Sequence, residues 1–177
     1  MLFYGILGNR GSGKTNLLTY FLYQAYLEGR PIFATYHLNF PSTFITYTQL
    51  TKMGDEMINA VVGLDEIGEG ADAYDFVLAT PRKISRFISQ MRKLNVDAYY
   101  TDQRFNKVAK RLRDQTDYFV FMEDNDRQTP NHSFTSCLSE FNYTTTDSDL
   151  EIIQRGTFYG KPLQHLFNSR EIVRNDL

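Results

Sequence analysis

Eight consecutive residues, Gly8-Asn9-Arg10-Gly11-Ser12-Gly13-Lys14-Thr15, have the types and spacing of a phosphate-binding loop, G-x-x-x-x-G-K-[ST]. Each fixed position has a chemical task. Gly8, Gly11 and Gly13 let the backbone curl until successive N–H groups face phosphate oxygens. Lys14 can reach the β- and γ-phosphates, and the Thr15 hydroxyl can ligate Mg2+. Asn9, Arg10 and Ser12 supply the remaining length of the cradle. The ligand this chemistry implies is ATP with Mg2+.

A second acidic constellation follows. Asp65 and Glu66 close the apolar run Ala60-Val61-Val62-Gly63-Leu64. At a strand end the first carboxylate can hold Mg2+, and the second can orient and deprotonate an attacking water. Two adjacent acids are also what a solvated strand end looks like; the loop upstream favours the catalytic reading. A Glu after the Asp suits hydrolysis better than phosphate transfer to a small acceptor. Asp65-Glu66-Ile67-Gly68 also fits the D-x-x-G of a GTPase switch. That reading needs an N-K-x-D guanine reader, and Asn106-Lys107-Val108-Ala109 lacks its acid. Gln103 follows a predicted strand. Its amide there can sense the γ-phosphate or position water, although a loop hydrogen bond explains it equally well.

These residues need elements to hold them. Leu2 to Leu7 is an apolar run that predicts a buried strand entering the loop. Leu17, Leu18, Phe21, Leu22, Ala25 and Tyr26 fall on one face of a helix leaving it. Glu28-Gly29-Arg30-Pro31 stops that helix. Further strands are predicted at 32–36, 44–47, 60–64, 96–101 and 118–122. Helices are predicted at about 48–59, 81–94 and 106–114. Residues 68–75 and 123–147 are polar, so the first is a loop and the second a loop or hairpin insertion. Residues 150–153 and 157–159 are expected to pair as a terminal hairpin, followed by a short helix or tail over 163–173. Strands alternating with helices predict a three-layer α/β fold, with a mainly parallel central sheet and helices on both faces. Ligands of such sheets bind at the carboxyl ends of the strands.

The 177 residues suit one domain, with a core over about 1–123, an insertion over 124–147 and a C-terminal hairpin and tail over 148–177. Hydrophobic residues make up 42% and charged residues 23%, which argues against disorder. Nothing approaches 18 uninterrupted apolar residues and no signal-like segment opens the chain, so no membrane partner is expected. The single cysteine, Cys137, has no internal disulfide partner. Both facts suit a soluble protein of the cytoplasm. His37, His132 and His165 lie at no metal-ligand spacing. Net charge is only −2, but it is unevenly spread. Between Arg82 and Arg113 lie 10 of the 19 basic residues and two acids, a local +8 that leaves −10 for the rest. Such asymmetry points to a polyanion-facing side, or to two helices with solvated basic faces.

The loop G-N-R-G-S-G-K-T, the run V-V-G-L-D-E and the stretch M-R-K-L-N-V-D-A-Y-Y-T-D-Q-R together resemble the FtsK–HerA superfamily of DNA-translocating ATPases. Within it, the small size resembles the viral genome-packaging ATPases and the zonular-occludens-toxin-like assembly ATPases. The resemblance covers about residues 1–123. It implies a nucleotide sensor at Gln103 and an arginine finger at Arg92 acting on a neighbouring subunit, with Lys93, Arg111 or Arg113 as substitutes. It further implies a ring, commonly a hexamer, that threads double-stranded DNA. A viral member would work in the host cytoplasm, docked on a capsid or portal protein. Asp102 stands where the family usually has a small residue. The main alternative is a nucleotide-gated assembly or scaffold ATPase that moves no DNA; a small-molecule kinase ranks last, for want of an Arg-rich lid.

Overall fold

Strict alternation of buried side chains along the strands splits the core into two layers. The structure, a computed structural model, describes residues 1–50, 52, 54–67, 81–124 and 140–167. In chain order the elements are β1 (Phe3–Gly8), α1 (Lys14–Leu27), β2 (Ile32–Ala34), β3 (Thr43–Phe44), the single turn α2 (Tyr47–Leu50), β4 (Val61–Leu64) and α3 (Pro81–Lys93). They continue with β5 (Asp97–Asp102), α4 (Lys110–Arg113), β6 (Tyr118–Asp124), β7 (Glu140–Asp147) and β8 (Ile152–Tyr159). The eight strands form one sheet in the order β3-β2-β4-β5-β1-β6-β7-β8. Its first six positions pair in parallel, and β7 and β8 add on antiparallel.

Successive strand residues point to opposite faces. Phe3, Leu7, Val62, Leu64, Ala98, Tyr100 and Phe119 therefore join Phe87, Ile88 and Met91 of α3 and Leu112 of α4 in one buried cluster. Ile6, Val61, Val120 and Met122 join Leu17, Leu18 and Leu22 of α1 in the other. The predicted α/β architecture, with a mainly parallel sheet between helical layers, is thus the observed one. β1 lies inside the sheet between β5 and β6, so the loop that leaves it emerges from the centre of the carboxyl edge.

Several expected elements differ. No continuous helix spans 48–59: α2 is one turn, and a 3-10 turn follows at Asp55–Met57. Gly54 is extended there (φ −123°, ψ −169°) and Asn59 is left-handed (φ 58°), and neither conformation propagates a helix. The predicted strand at 44–47 shrinks to β3, and Tyr47 opens α2 instead. The helix expected over 106–114 divides into a 3-10 turn at Phe105–Lys107 and α4, because Val108 and Ala109 are extended. Residues 140–147, expected in a loop or hairpin insertion, form β7, a full strand of the main sheet. The segments at 150–153 and 157–159 do not pair with each other; Ile152, Ile153 and all of 157–159 fall within one strand, β8, which pairs with β7. A 3-10 helix spans Lys161–Leu166. The expected loop at 68–75, Cys137 and His132 lie outside the described residues.

Candidate functional site

The phosphate-binding loop sits where β1 ends. Gly13 is left-handed (φ 79°) and caps α1, with Leu17 N donating to Gly13 O at 3.0 Å. A Cβ at Gly8 would lie 2.5 Å from the Met122 carbonyl oxygen, so no larger residue fits between β1 and β6. Ser12 N donates to Asn9 O at 3.2 Å, closing the turn. Lys14 is buried, and its Nζ donates to Asn9 O at 2.9 Å, which holds the ammonium over the loop. Ser12 is also buried, and its Oγ is without a hydrogen-bond partner among the described residues. Asn9, Arg10 and Gly11 are exposed, as a loop waiting to wrap an anion requires.

Strand order brings the acidic pair to this loop. β4 is separated from β1 only by β5, and their carboxyl ends line up. Thr15 Oγ1 lies 3.1 Å from Asp65 Oδ1 and 3.2 Å from Asp65 Oδ2. The two expected Mg2+ ligands, Thr15 and Asp65, are therefore in direct contact. A hydroxyl and a carboxylate converging at a helix N-terminus is the donor set Mg2+ takes when phosphates complete its shell. The fit extends to charge. Burial pushes the Asp65 carboxyl above its ordinary pKa, opposed by hydrogen bonds from Thr101 and Thr15 and by the Lys14 charge. Although Asp65 keeps some accessible surface, its carboxyl is packed round by protein, and a cation there would offset the burial. Among the described residues no group of three His, Cys, Asp or Glu could hold a metal by itself.

Three residues hold the turn after β4, and the spacing of motifs did not single them out. The register pairs Leu64 with Tyr100, which sets Asp65 level with Thr101. Asp65 N donates to Thr35 Oγ1 at 2.9 Å, and Tyr47 Oη donates to the Asp65 carbonyl at 2.8 Å. Thr101 Oγ1 donates to Asp65 Oδ1 at 2.6 Å and accepts from Glu66 N at 2.7 Å. Ile67 N donates to Thr101 O at 3.0 Å. Glu66 is left-handed (φ 50°), a conformation that costs a residue with a Cβ about 1–2 kcal/mol. A register argument applied to the strands at 60–64 and 96–101 is the signal that would have exposed Thr101. Behind α1, Thr19 Oγ1 donates to Thr15 O at 2.7 Å and meets Tyr36 Oη at 2.9 Å, fixing the first turn.

The remaining sequence candidates divide by place. Leu7 pairs with Asp102, so Gln103 leaves β5 beside Gly8 at the mouth of the loop. Arg92 lies elsewhere. It ends α3, before β5 begins, and its Nη2 donates to Gln115 Oε1 at 3.2 Å. The six-residue β5 separates it from Gln103, a span of about 20 Å. Arg92 is exposed, as are Lys93, Arg104, Lys110 and Arg111. Arg113 stacks over Phe105 with its guanidinium carbon 4.7 Å from the ring centroid.

No family model matches the chain. No curated protein matches it either. Solved structures do. The N-terminal domain of zonular occludens toxin from Neisseria meningitidis superposes with a TM-score of 0.65 at 15% identity, over 94% of this chain and 98% of that one. B204, the DNA-packaging ATPase of Sulfolobus turreted icosahedral virus, gives 0.57 at 11% identity over 85% and 95%. The genome-packaging NTPase B204 of the related virus 2, in complex with AMPPCP, gives 0.53 at 11%. At these identities the likeness is one of fold: the chain shares the mixed α/β architecture, a mainly parallel sheet between helices, of the toxin's N-terminal domain and of the viral packaging enzyme.

Proposed function

We propose that the chain is an Mg2+-dependent ATPase that works as a ring, the expected size being six copies, and moves double-stranded DNA, in genome packaging. The observation that carries the reading is the contact of Thr15 with Asp65 at the mouth of a glycine loop, with Glu66 next in the chain and Gln103 just past the end of the strand between. In this reading Gly8 to Thr15 wrap the phosphates with backbone N–H groups. Lys14 leaves Asn9 O for the β- and γ-oxygens. Thr15 and Asp65 would hold Mg2+, which when bound would supply positive charge beside the phosphates. Glu66 takes the proton of the attacking water, and Gln103 reports whether the γ-phosphate is present. Arg92, remote from its own loop, serves the loop of a neighbouring copy. An arginine offered across an interface makes hydrolysis conditional on assembly.

Two further observations support the DNA arm. The basic elements α3 and α4 touch and cover one face of the sheet, so Arg92, Lys93, Lys110 and Arg111 belong to the same side of the molecule. Phosphate contacts of that kind are largely sequence-independent, as a motor needs. The viral neighbours are by their description packaging enzymes. A capsid or portal protein, in host cytoplasm, would be the docking partner. Among the described residues no helix is long and apolar enough to cross a membrane. The second reading is a nucleotide-gated assembly ATPase that moves no DNA; the fuller overlap with the toxin domain favours it.

The test is ATP hydrolysis with and without duplex DNA. Lys14→Ala is expected to abolish turnover, and full activity in that variant ends the ATPase reading. Duplex DNA is expected to raise the wild-type rate. A rate indifferent to duplex transfers the account to the assembly reading.

A further inference from the structure

The turn after β4 is wrapped around one side chain. A threonine hydroxyl has one proton to give and two lone pairs to receive. Thr101 uses the proton on Asp65 Oδ1 at 2.6 Å and a lone pair on Glu66 N at 2.7 Å. Its carbonyl takes Ile67 N at 3.0 Å. Three consecutive residues of the turn thus end on the same strand residue, which is itself fully buried. Glu66 at φ 50° is the residue least able to hold that conformation by itself. Such a backbone persists only where neighbours over-determine it. Thr35 and Tyr47 secure the Asp65 peptide, while the Glu66 peptide N–H is taken by the Thr101 hydroxyl and also faces the Asp65 carboxylate that the same hydroxyl holds.

We propose that Thr101 is a positioning residue for hydrolysis: its hydroxyl locks Glu66 in the left-handed turn and ties that turn to the Asp65 carboxylate, so that base and metal ligand are set as one unit. The proposal rests on the ATPase reading for its kinetic consequences and on geometry alone for its structural one. Thr101 acts through Glu66 and not on nucleotide. Loss of the hydroxyl should therefore lower turnover and spare binding.

Thr101→Val keeps shape and β-branching while removing both hydroxyl bonds, and Thr101→Ser restores them. Thr101→Val is expected to cut kcat about 10- to 100-fold, the usual cost of losing a side chain that orients a catalytic one. Affinity for a non-hydrolysable ATP analogue should stay within about threefold, and Thr101→Ser should recover most of the rate. In a Glu66→Gln background, Thr101→Val should cost much less than in the wild type, only what the looser Asp65 carboxylate adds. Turnover at the wild-type rate in Thr101→Val overturns the proposal. So does an equal loss in the Glu66→Gln background, or a loss confined to nucleotide affinity. Hydrogen exchange at the Glu66 amide gives a readout free of catalysis: it should quicken in Thr101→Val and return in Thr101→Ser, and unchanged protection refutes the lock. If Glu66→Gln hydrolyses ATP normally, the base assignment fails, and amide exchange alone then decides for or against Thr101.

Discussion

Asp65 shows at the level of one residue how a binding site is kept ready at a cost in stability. Burial raises its carboxyl pKa above the ordinary 3.8, while Thr101, Thr15 and Lys14 pull the other way without cancelling it. The folded chain therefore holds this proton more tightly than the unfolded one. Between the ordinary value and the raised one the native state carries more protons, so stability falls as pH rises through that window. Above it the site holds an ion whose burial is only partly compensated. Asp65→Asn removes that ion and keeps acceptors for both hydroxyls. The nucleotide-free variant is expected to melt about 2–4 °C higher than the wild type at neutral pH, roughly 1 kcal/mol in a domain of this size. The gain should fade as pH drops below the raised pKa, and ATP hydrolysis should be lost at every pH. Thermal melts across pH check the first part; an equal gain at all pH values would contradict it. Gly8 to Thr15, Asp65 and Glu66 were legible in the sequence because their chemistry dictates their spacing. Thr35, Tyr47 and Thr101 were not, since they meet the site through sheet register, and register is a property of strand pairs.

At the level of elements, the C-terminal strands turn out to be part of the glycine loop's foundation. Phe141 of β7 is fully buried, and a Cβ at Gly13 would lie 2.5 Å from its ring. The glycine before Lys14 thus satisfies two demands, a left-handed φ of 79° and a face against an aromatic ring. Past β8, Gly160 packs on Asn16 and Phe141, and Asn39 N donates to Leu166 O at 2.7 Å, so residues 160–166 are laced to α1 and to the loop after β2. Gly13→Ala should cost about 2–4 kcal/mol, the left-handed penalty plus overpacking. Phe141→Leu makes room, so Gly13→Ala should cost less in that background than in the wild type. Denaturant melts of the two single variants and the double test this; strict additivity would mean the ring and the loop are independent. β7 was hidden because Glu140-Phe141-Asn142-Tyr143-Thr144-Thr145-Thr146-Asp147 is polar overall. Its alternation of Phe141 and Tyr143 with polar residues and its β-branched threonines are strand signals, outweighed in a composition-based reading. β1, α1, β4, α3 and β5 announced themselves through long apolar patterns. The weak helix at 48–59 failed because Gly54 and Asn59 adopt conformations that apolar spacing cannot register.

At the scale of the whole molecule, the proposed site is incomplete within one copy. One copy brings together Lys14, Thr15, Asp65, Glu66 and Gln103 at the carboxyl edge of the sheet, and keeps Arg92 about 20 Å away at the other end of β5. A site that needs this arginine must borrow it from another copy. Head-to-tail contacts that lend a group to the next copy close into rings when the rotation allows. In the proposed ring, the basic side formed by α3 and α4 would belong to a shared assembly rather than to a lone chain. Mixing two crippled variants tests this most directly. Lys14→Ala has a dead loop and an intact arginine, while Arg92→Ala has an intact loop and no arginine to lend. Each alone should be nearly inactive, with Arg92→Ala still binding ATP. Mixed and allowed to assemble, they should regain measurable hydrolysis, because some loops of Arg92→Ala subunits will face the arginine of a Lys14→Ala neighbour. Activity of the mixture no greater than the sum of the two variants assayed separately would contradict a site completed by the adjoining copy.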